Sequence, residues 1–329
     1  MDRTLPRLAS LLALLALAGC ACGIRVEPTV PEGGPNLGYL PASLNLRWPA
    51  QPETDTEVFI RSEQDLGGPV TVSRVRLVLE GPLDELVIAA DDVEVAAGES
   101  MRVGRLLIRQ GSHRVRLEGG RYGSIVIEAP SASSSMVEDV TLDRVIVEDG
   151  DPALAIRGVR RLALIESRVE SRSGIAFFVG DTGPLVSEDV SIVDSVIDGE
   201  SRTAGALHDV HRVAVVDSWL ESDGLFAASI TGSSDHVVLS RNTLVGGGLA
   251  VGDGRSGIGS VWVALNTLYS RSQLASLETD DIEQLLLAHN TVYSDVSSCM
   301  WCGETPPSWT VRPNLMLAYR TPPSRLVRP

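Results

Sequence analysis

Val237-Val-Leu-Ser-Arg-Asn-Thr-Leu244, Val261-Trp-Val-Ala-Leu-Asn-Thr-Leu268, Leu285-Leu-Leu-Ala-His-Asn-Thr-Val292 and Trp309-Thr-Val-Arg-Pro-Asn-Leu-Met316 are four versions of one eight-residue phrase. Their asparagines, Asn242, Asn266, Asn290 and Asn314, are each 24 residues apart (266−242, 290−266, 314−290). A fixed period of this size is the mark of a solenoid.

With Asn at position 6 and apolar residues at 1, 3 and 8, the phrase can be followed upstream. It passes through Val213-x-Val215 with Ser218, Val190-x-Ile192 with Ser195 and Leu162-x-Leu164 with Ser167. Beyond these come Val140-x-Leu142 with Val145 and Val115-x-Leu117 with Gly120. Farther back, Leu86-x-Ile88 and Val75-x-Leu77 keep the alternation and lose the register. Alternation at positions 1 and 3 is the period of a half-buried strand, and no stretch after the leader sustains a helical period. A second strand is expected at Leu154-Ala-Ile156, Ile175-Ala-Phe177, Leu225-Phe-Ala227 and Leu249-Ala-Val251, with nearby glycines for the bends. The pattern therefore predicts an all-β parallel solenoid. Asn is expected at the tight bend, taking the left-handed backbone region and bonding to the turns above and below.

The whole pattern resembles the right-handed parallel β-helix of the pectin-lyase-like superfamily. The resemblance covers Val58 to Tyr319, about ten coils with a period near 24 residues. It implies a fold and little about activity, because that fold carries lyases, hydrolases, epimerases, adhesins and inert stalks.

Arg3 and Arg7 precede the apolar run Leu8 to Leu17, which is too short to span a bilayer and is laid out as a secretory signal. Its end, Leu17-Ala18-Gly19-Cys20, resembles the lipobox of bacterial lipoproteins. That resemblance implies a signal peptide over 1–19, lipid on Cys20, and an outer-membrane anchor because Ala21 rather than aspartate follows. Residues 20–57 are rich in proline and read as a tether, with Leu44, Leu46 and Trp48 capping the first coil. The β-helix is expected over 58–319, and 320–329 form a C-terminal tail.

All 28 basic residues are arginine, and against 43 acids they leave a net charge of −15. Nucleic acid is excluded as a partner, since phosphate binding needs a basic footprint. Only 4% of residues are aromatic, which suits a core of small aliphatic layers. Among the four cysteines, Cys299 and Cys302 are expected to form a local disulfide across a loop, and Cys22 has no evident partner.

Three places could carry chemistry. Position 9 runs Glu148, Glu170, Asp198, Glu221, then Val245, Tyr269 and Tyr293. Stacked carboxylates repel, so a neutraliser is needed, and Ca²⁺ is one candidate; the tyrosines could offer a flat face to a sugar. The second strand carries Arg157, Asp181, His208, Asp209, His211 and Asp253. Within it, His208-Asp209-x-His211 could supply an acid or base. The third place is the cysteine pair. The superfamily's Asn-Thr-Asp, Gly-His-Gly and Asp-Pro-His-Glu signatures are missing, and so is any lysine base. The reading is a lipid-anchored envelope protein whose β-helix binds or displays, toward a glycan or envelope partner, without catalysis. The alternatives are a polysaccharide lyase or glycoside hydrolase using Arg157, His208 or Asp209, and a structural spacer or adhesin.

Overall fold

A computed structural model describes residues 44, 46–129, 135–180, 185–200, 203–224, 226–252, 257–270, 275–277, 282–294, 309–311 and 314–318. Cys20, Cys22, Cys299, Cys302, Asp181 and Asp253 lie outside them.

The chain is an all-β parallel solenoid with a period near 23 residues. One interior column shows it. Leu77 pairs with Val95, then Leu117, Leu142, Leu164, Ile192, Val215, Leu239, Val263 and Leu287, each in the next turn. That is nine turns averaging about 23 residues ((287−77)/9). In backbone register Val58, which is exposed, precedes Leu77, and Val311 follows Leu287. Every named strand pairing is parallel, so each turn adds about 4.8 Å along the axis.

Each regular turn has three strands. Face A carries the phrase, as in Val190-x-Ile192 on Ser187–Val193. Face B follows the bend, as in Val196–Gly199, and face C is the second strand, as in Gly205–His208. Interior rows of Val, Ile and Leu from all three faces merge into one core. At about 1.5–3 kcal/mol for each fully buried aliphatic side chain, this core is the main stabilising term. Among the described residues the helix is a single four-residue piece, Glu63–Leu66, and no helix is long and apolar enough to cross a membrane.

Four expectations need correction. Val75-x-Leu77 does not lose the register; it pairs with Val93-x-Val95, which the spacing hid because the early turns are short (95−77 = 18 residues). The second strands begin later than expected in two turns, at Phe177–Gly180 and Ala228–Thr231, because apolar residues continue through the preceding bend. The asparagines are not the left-handed residues. Positive φ falls one position earlier, at Arg144, Glu166, Asp194, Asp217, Arg241, Leu265 and His289. That twist turns the following side chain, Val145 or a Ser or Asn, inward.

The fourth correction concerns the segment before the first strand, Thr56–Ile60. Leu44, Leu46 and Trp48 do not cap the first coil. They pack with Val193, Ala214, Val216, Val238 and Trp262, well along the solenoid. From there the chain runs back along the outside of face A as a strap and enters the first strand. Leu44 is seated on Val193, Ala214, Val216 and Val238, and the outward row leading back from Ala214 is small and buried: Ser191, Ala163 and Thr141.

Candidate functional site

The acidic lane stands in register, but it is not outward throughout: Asp198 and Val245 are buried. Glu148, Glu170, Asp198 and Glu221 stack one per turn, continuing through Val245 to Tyr269 and Tyr293. Much of its charge is met within the protein. Arg121 donates to Glu148 at 2.5 Å with Arg102 at 3.7 Å, Arg168 pairs with Glu170, and the Trp219 indole N–H donates to Glu221 at 3.1 Å. Tyr269 and Tyr293 stack at 4.7 Å with ring planes 6° apart. Their faces are turned to each other, so edges and hydroxyls are left for a ligand rather than the flat platform expected.

Face C gathers part of the second group. Glu128 pairs in register with Arg157, Gly180 with His208, and His208 with Thr231. Arg157 is held by Glu128 at 3.5 Å and lies 5.8 Å above the Phe178 ring. His208 shares Nδ1 with the Thr231 hydroxyl at 3.0 Å, and its Nε2 lies 3.2 Å from Asp209. His211 does not join them. It is the second residue of the next face A strand, Val210–Val216, because the left-handed Asp209 turns the chain between the two histidines.

At that corner lies an arrangement the sequence reasoning missed. The two residues before position 1 run Asp91-Asp92, His113-Arg114, Glu138-Asp139, Arg160-Arg161, Glu188-Asp189, His211-Arg212 and Asp235-His236. Acidic and basic pairs alternate from turn to turn. The first members are in register from His113 to Asp235, and every second member has positive φ. Left-handed geometry at one fixed corner stacks these side chains in two outward lanes.

The pairs close on one another. Arg114 grips both oxygens of Asp92 at 2.5 and 2.7 Å, Arg161 those of Asp139 at 2.6 and 2.8 Å, and Arg212 those of Asp189 at 2.6 and 2.8 Å. Arg160 bridges Glu138 at 3.4 Å and Glu188 at 2.5 Å, across two turn boundaries. Bidentate forks of this kind are the strong, charge-assisted class. The Arg114 fork holds the Asp92 carboxyl below the usual range. For Asp139, burial pushes the pKa up, but the Arg161 guanidinium and the Ala50 N–H outweigh it and hold the group low. Glu188 follows the same pattern, with burial opposed by Arg160 and Arg212.

The strap binds the same lanes. The Arg47 N–H donates to Asp189 at 3.2 Å, the Ala50 N–H to Asp139 at 3.0 Å and the Glu53 N–H to Asp92 at 3.1 Å. Donors three residues apart meet acids two turns apart. Three residues of polyproline-type chain advance about 9.3 Å, close to two turns at about 4.8 Å each. Pro49 and Pro52 sit between the donors, where no N–H is required.

The alternation changes at its far end. After His211-Arg212 an acidic pair is due, but the chain has Asp235-His236, followed by Gly259-Ser260. Asp235 Oδ2 lies 2.5 Å from His236 Nδ1 and 3.6 Å from His211 Nδ1. The two imidazoles meet edge to face at 5.3 Å, and Trp262 stands edge-on to His236 at 6.0 Å. Burial and the Arg212 cation hold His211 below its ordinary pKa, favouring the neutral ring. Among the described residues, this is the trio of His, Cys, Asp and Glu side chains close enough to share one ion. The signal that could have revealed it was the dipeptide before position 1, read as its own column. The chain matches no protein-family model, and no curated protein matches it in sequence.

Proposed function

We propose that this is a lipid-anchored protein of the cell envelope, carried on Cys20, whose solenoid binds or displays toward a glycan or envelope partner without catalysis. Its kinship, on the same reading, is with the right-handed β-helices of the pectin-lyase-like superfamily. The observation that supports binding is the aligned lane from Glu148 through Glu170, Asp198 and Glu221 to Tyr269 and Tyr293. The lane spans six intervals, roughly 29 Å; Glu148, Glu170 and Glu221 are half-buried along it, Asp198 and Val245 are buried, and Tyr269 and Tyr293 end it with edges and hydroxyls. A linear polymer of hydroxyl-bearing units is the ligand that such a repeating row of acceptors suits. Neutral or amino sugars are favoured over acidic ones by the chain's net charge of −15.

The test is a glycan array with the full chain in detergent, spanning neutral, amino and acidic polysaccharides, each also assayed for new reducing or unsaturated ends. Retention without new ends is expected, weakened by Glu221→Gln and by Tyr269→Ala. Turnover lost on His208→Ala would replace this reading with the lyase or hydrolase, and retention of no glycan would leave the spacer. Cys20→Ser is expected to abolish metabolic labelling by fatty acid.

A further inference from the structure

We propose that His211, Asp235 and His236 form a binding site for one divalent transition-metal cation of the Zn²⁺ class. The argument starts from Asp235. Its Oδ1 accepts the His236 and Ser260 backbone N–H groups, each at 2.8 Å. These two bonds fix the carboxylate and leave Oδ2 aimed between the two imidazoles. Gly259 is part of that support: a Cβ there would meet Asp235 Oδ1 at 2.1 Å, so only glycine lets the carboxylate take this place. The orientation is therefore built by backbone from the next turn, as the outer partners of metal ligands commonly are.

The three ligand atoms lie within 4.8 Å of one another. A tetrahedral ion with bonds of about 2.0–2.1 Å holds its ligand atoms roughly 3.3 Å apart. The His211 edge, 3.6 Å, is already near that value; the His236 edge, 2.5 Å, must open by less than an ångström. Ring rotation at His236 supplies this, exchanging its hydrogen bond to Asp235 for a shared ion. Two imidazoles and one carboxylate suit Zn²⁺, Ni²⁺, Cu²⁺ or Co²⁺ far better than Ca²⁺ or Mg²⁺, which prefer all-oxygen sites. Side-chain exposures of 35%, 33% and 30% for His211, Asp235 and His236 leave the trio open to solvent. Three protein ligands leave a fourth position for water or an incoming ligand.

The charge pattern supports the site independently. Elsewhere in the two lanes Asp92, Glu138, Asp139, Glu188 and Asp189 each meet an arginine. At Asp235 the partners are imidazoles, the one cationic side chain that is also a metal ligand when neutral.

The full chain, lipid-modified at Cys20 and carrying Cys22→Ser, Cys299→Ser and Cys302→Ser to remove the other cysteine thiols, is titrated with Zn²⁺ by calorimetry. One Zn²⁺ per chain is expected, with His211→Gln and His236→Gln each weakening binding by at least about tenfold, and Gly259→Ala weakening it without removing a ligand. His113→Gln and His208→Gln are expected to leave binding unchanged. Circular dichroism checks that each variant folds, and the Cu²⁺ electron paramagnetic resonance of the unaltered site, with coupling to two nitrogens, reports the ligands without mutation. Absence of stoichiometric binding by Zn²⁺, Ni²⁺ and Cu²⁺, or binding that survives His211→Gln and His236→Gln together, would overturn the proposal.

Discussion

At position 6 of the turns from Ser167 to Asn314 one side-chain oxygen performs the same task in two chemistries. The hydroxyls of Ser167, Ser195 and Ser218 accept the backbone N–H of Val145, Ser167 and Ser195, at 3.1, 3.2 and 3.2 Å. Asn242, Asn266, Asn290 and Asn314 then accept from Ser218, Asn242, Asn266 and Asn290 at 2.8–3.0 Å. Each buried corner amide of one turn is thereby satisfied by the next. The asparagines add a second bond: Asn266 Nδ2 donates to the Leu239 carbonyl at 2.9 Å. Asn266→Ala strands both the Asn242 N–H and the Leu239 carbonyl, and should cost about 3 kcal/mol. Asn266→Ser should cost roughly half that, since serine restores the acceptor. Denaturant titration of the two variants checks the order; equal losses would remove the ladder from the account of stability.

At the scale of the element, the strap matters most. Its hold on the solenoid combines Leu44, fully buried against Ala214, Val216 and Val238, with three N–H donors to Asp189, Asp139 and Asp92. The apolar end anchors it and the acids set its register. Leu44→Ala should loosen the strap by about 2–4 kcal/mol, while the solenoid core, which does not include Leu44, stays folded. Hydrogen exchange reads this directly: the Arg47 and Ala50 amides should lose protection and the amides of Leu164 and Ile192 should keep it. Uniform loss across the chain would show that strap and solenoid unfold as one unit.

For the whole molecule, the alternating lanes let a chain with a net charge of −15 keep much of its charge paired along one edge. The consequence is acid sensitivity. Asp92, Asp139 and Glu188 have folded pKa values held below their ordinary ones. Their stabilisation is therefore complete above about pH 4.5 and lost as pH falls through the lower folded values. The melting temperature should be nearly flat from about pH 7 to pH 5 and drop below about pH 4. Asp139→Asn should flatten that drop while lowering stability at neutral pH. A solenoid that melts at the same temperature at about pH 7 and about pH 3 would mean that the lanes contribute nothing.

The repeat was legible because a solenoid copies local chemistry at a fixed interval. Asn242, Asn266, Asn290 and Asn314 disclosed the period, the phrase strand and the register of the lane from Glu148 to Tyr293 without any coordinates, but not that Asp198 and Val245 within it are buried. The left-handed residue beside each Asn was not legible, because Arg144, Glu166, Asp194, Asp217, Arg241, Leu265 and His289 share no side-chain chemistry; only the backbone path makes them equivalent. The pairing of His211 with Asp235 rather than with His208 was also a tertiary decision. Sequence distance favours His208, three residues away, but the corner at Asp209 separates them and the next turn brings Asp235 and His236 alongside. The strap was the least predictable, since Leu44, Leu46 and Trp48 show only that something apolar must be covered. Its place was decided by where the small outward row and the acids two turns apart coincide, a match that exists only once the turns are stacked.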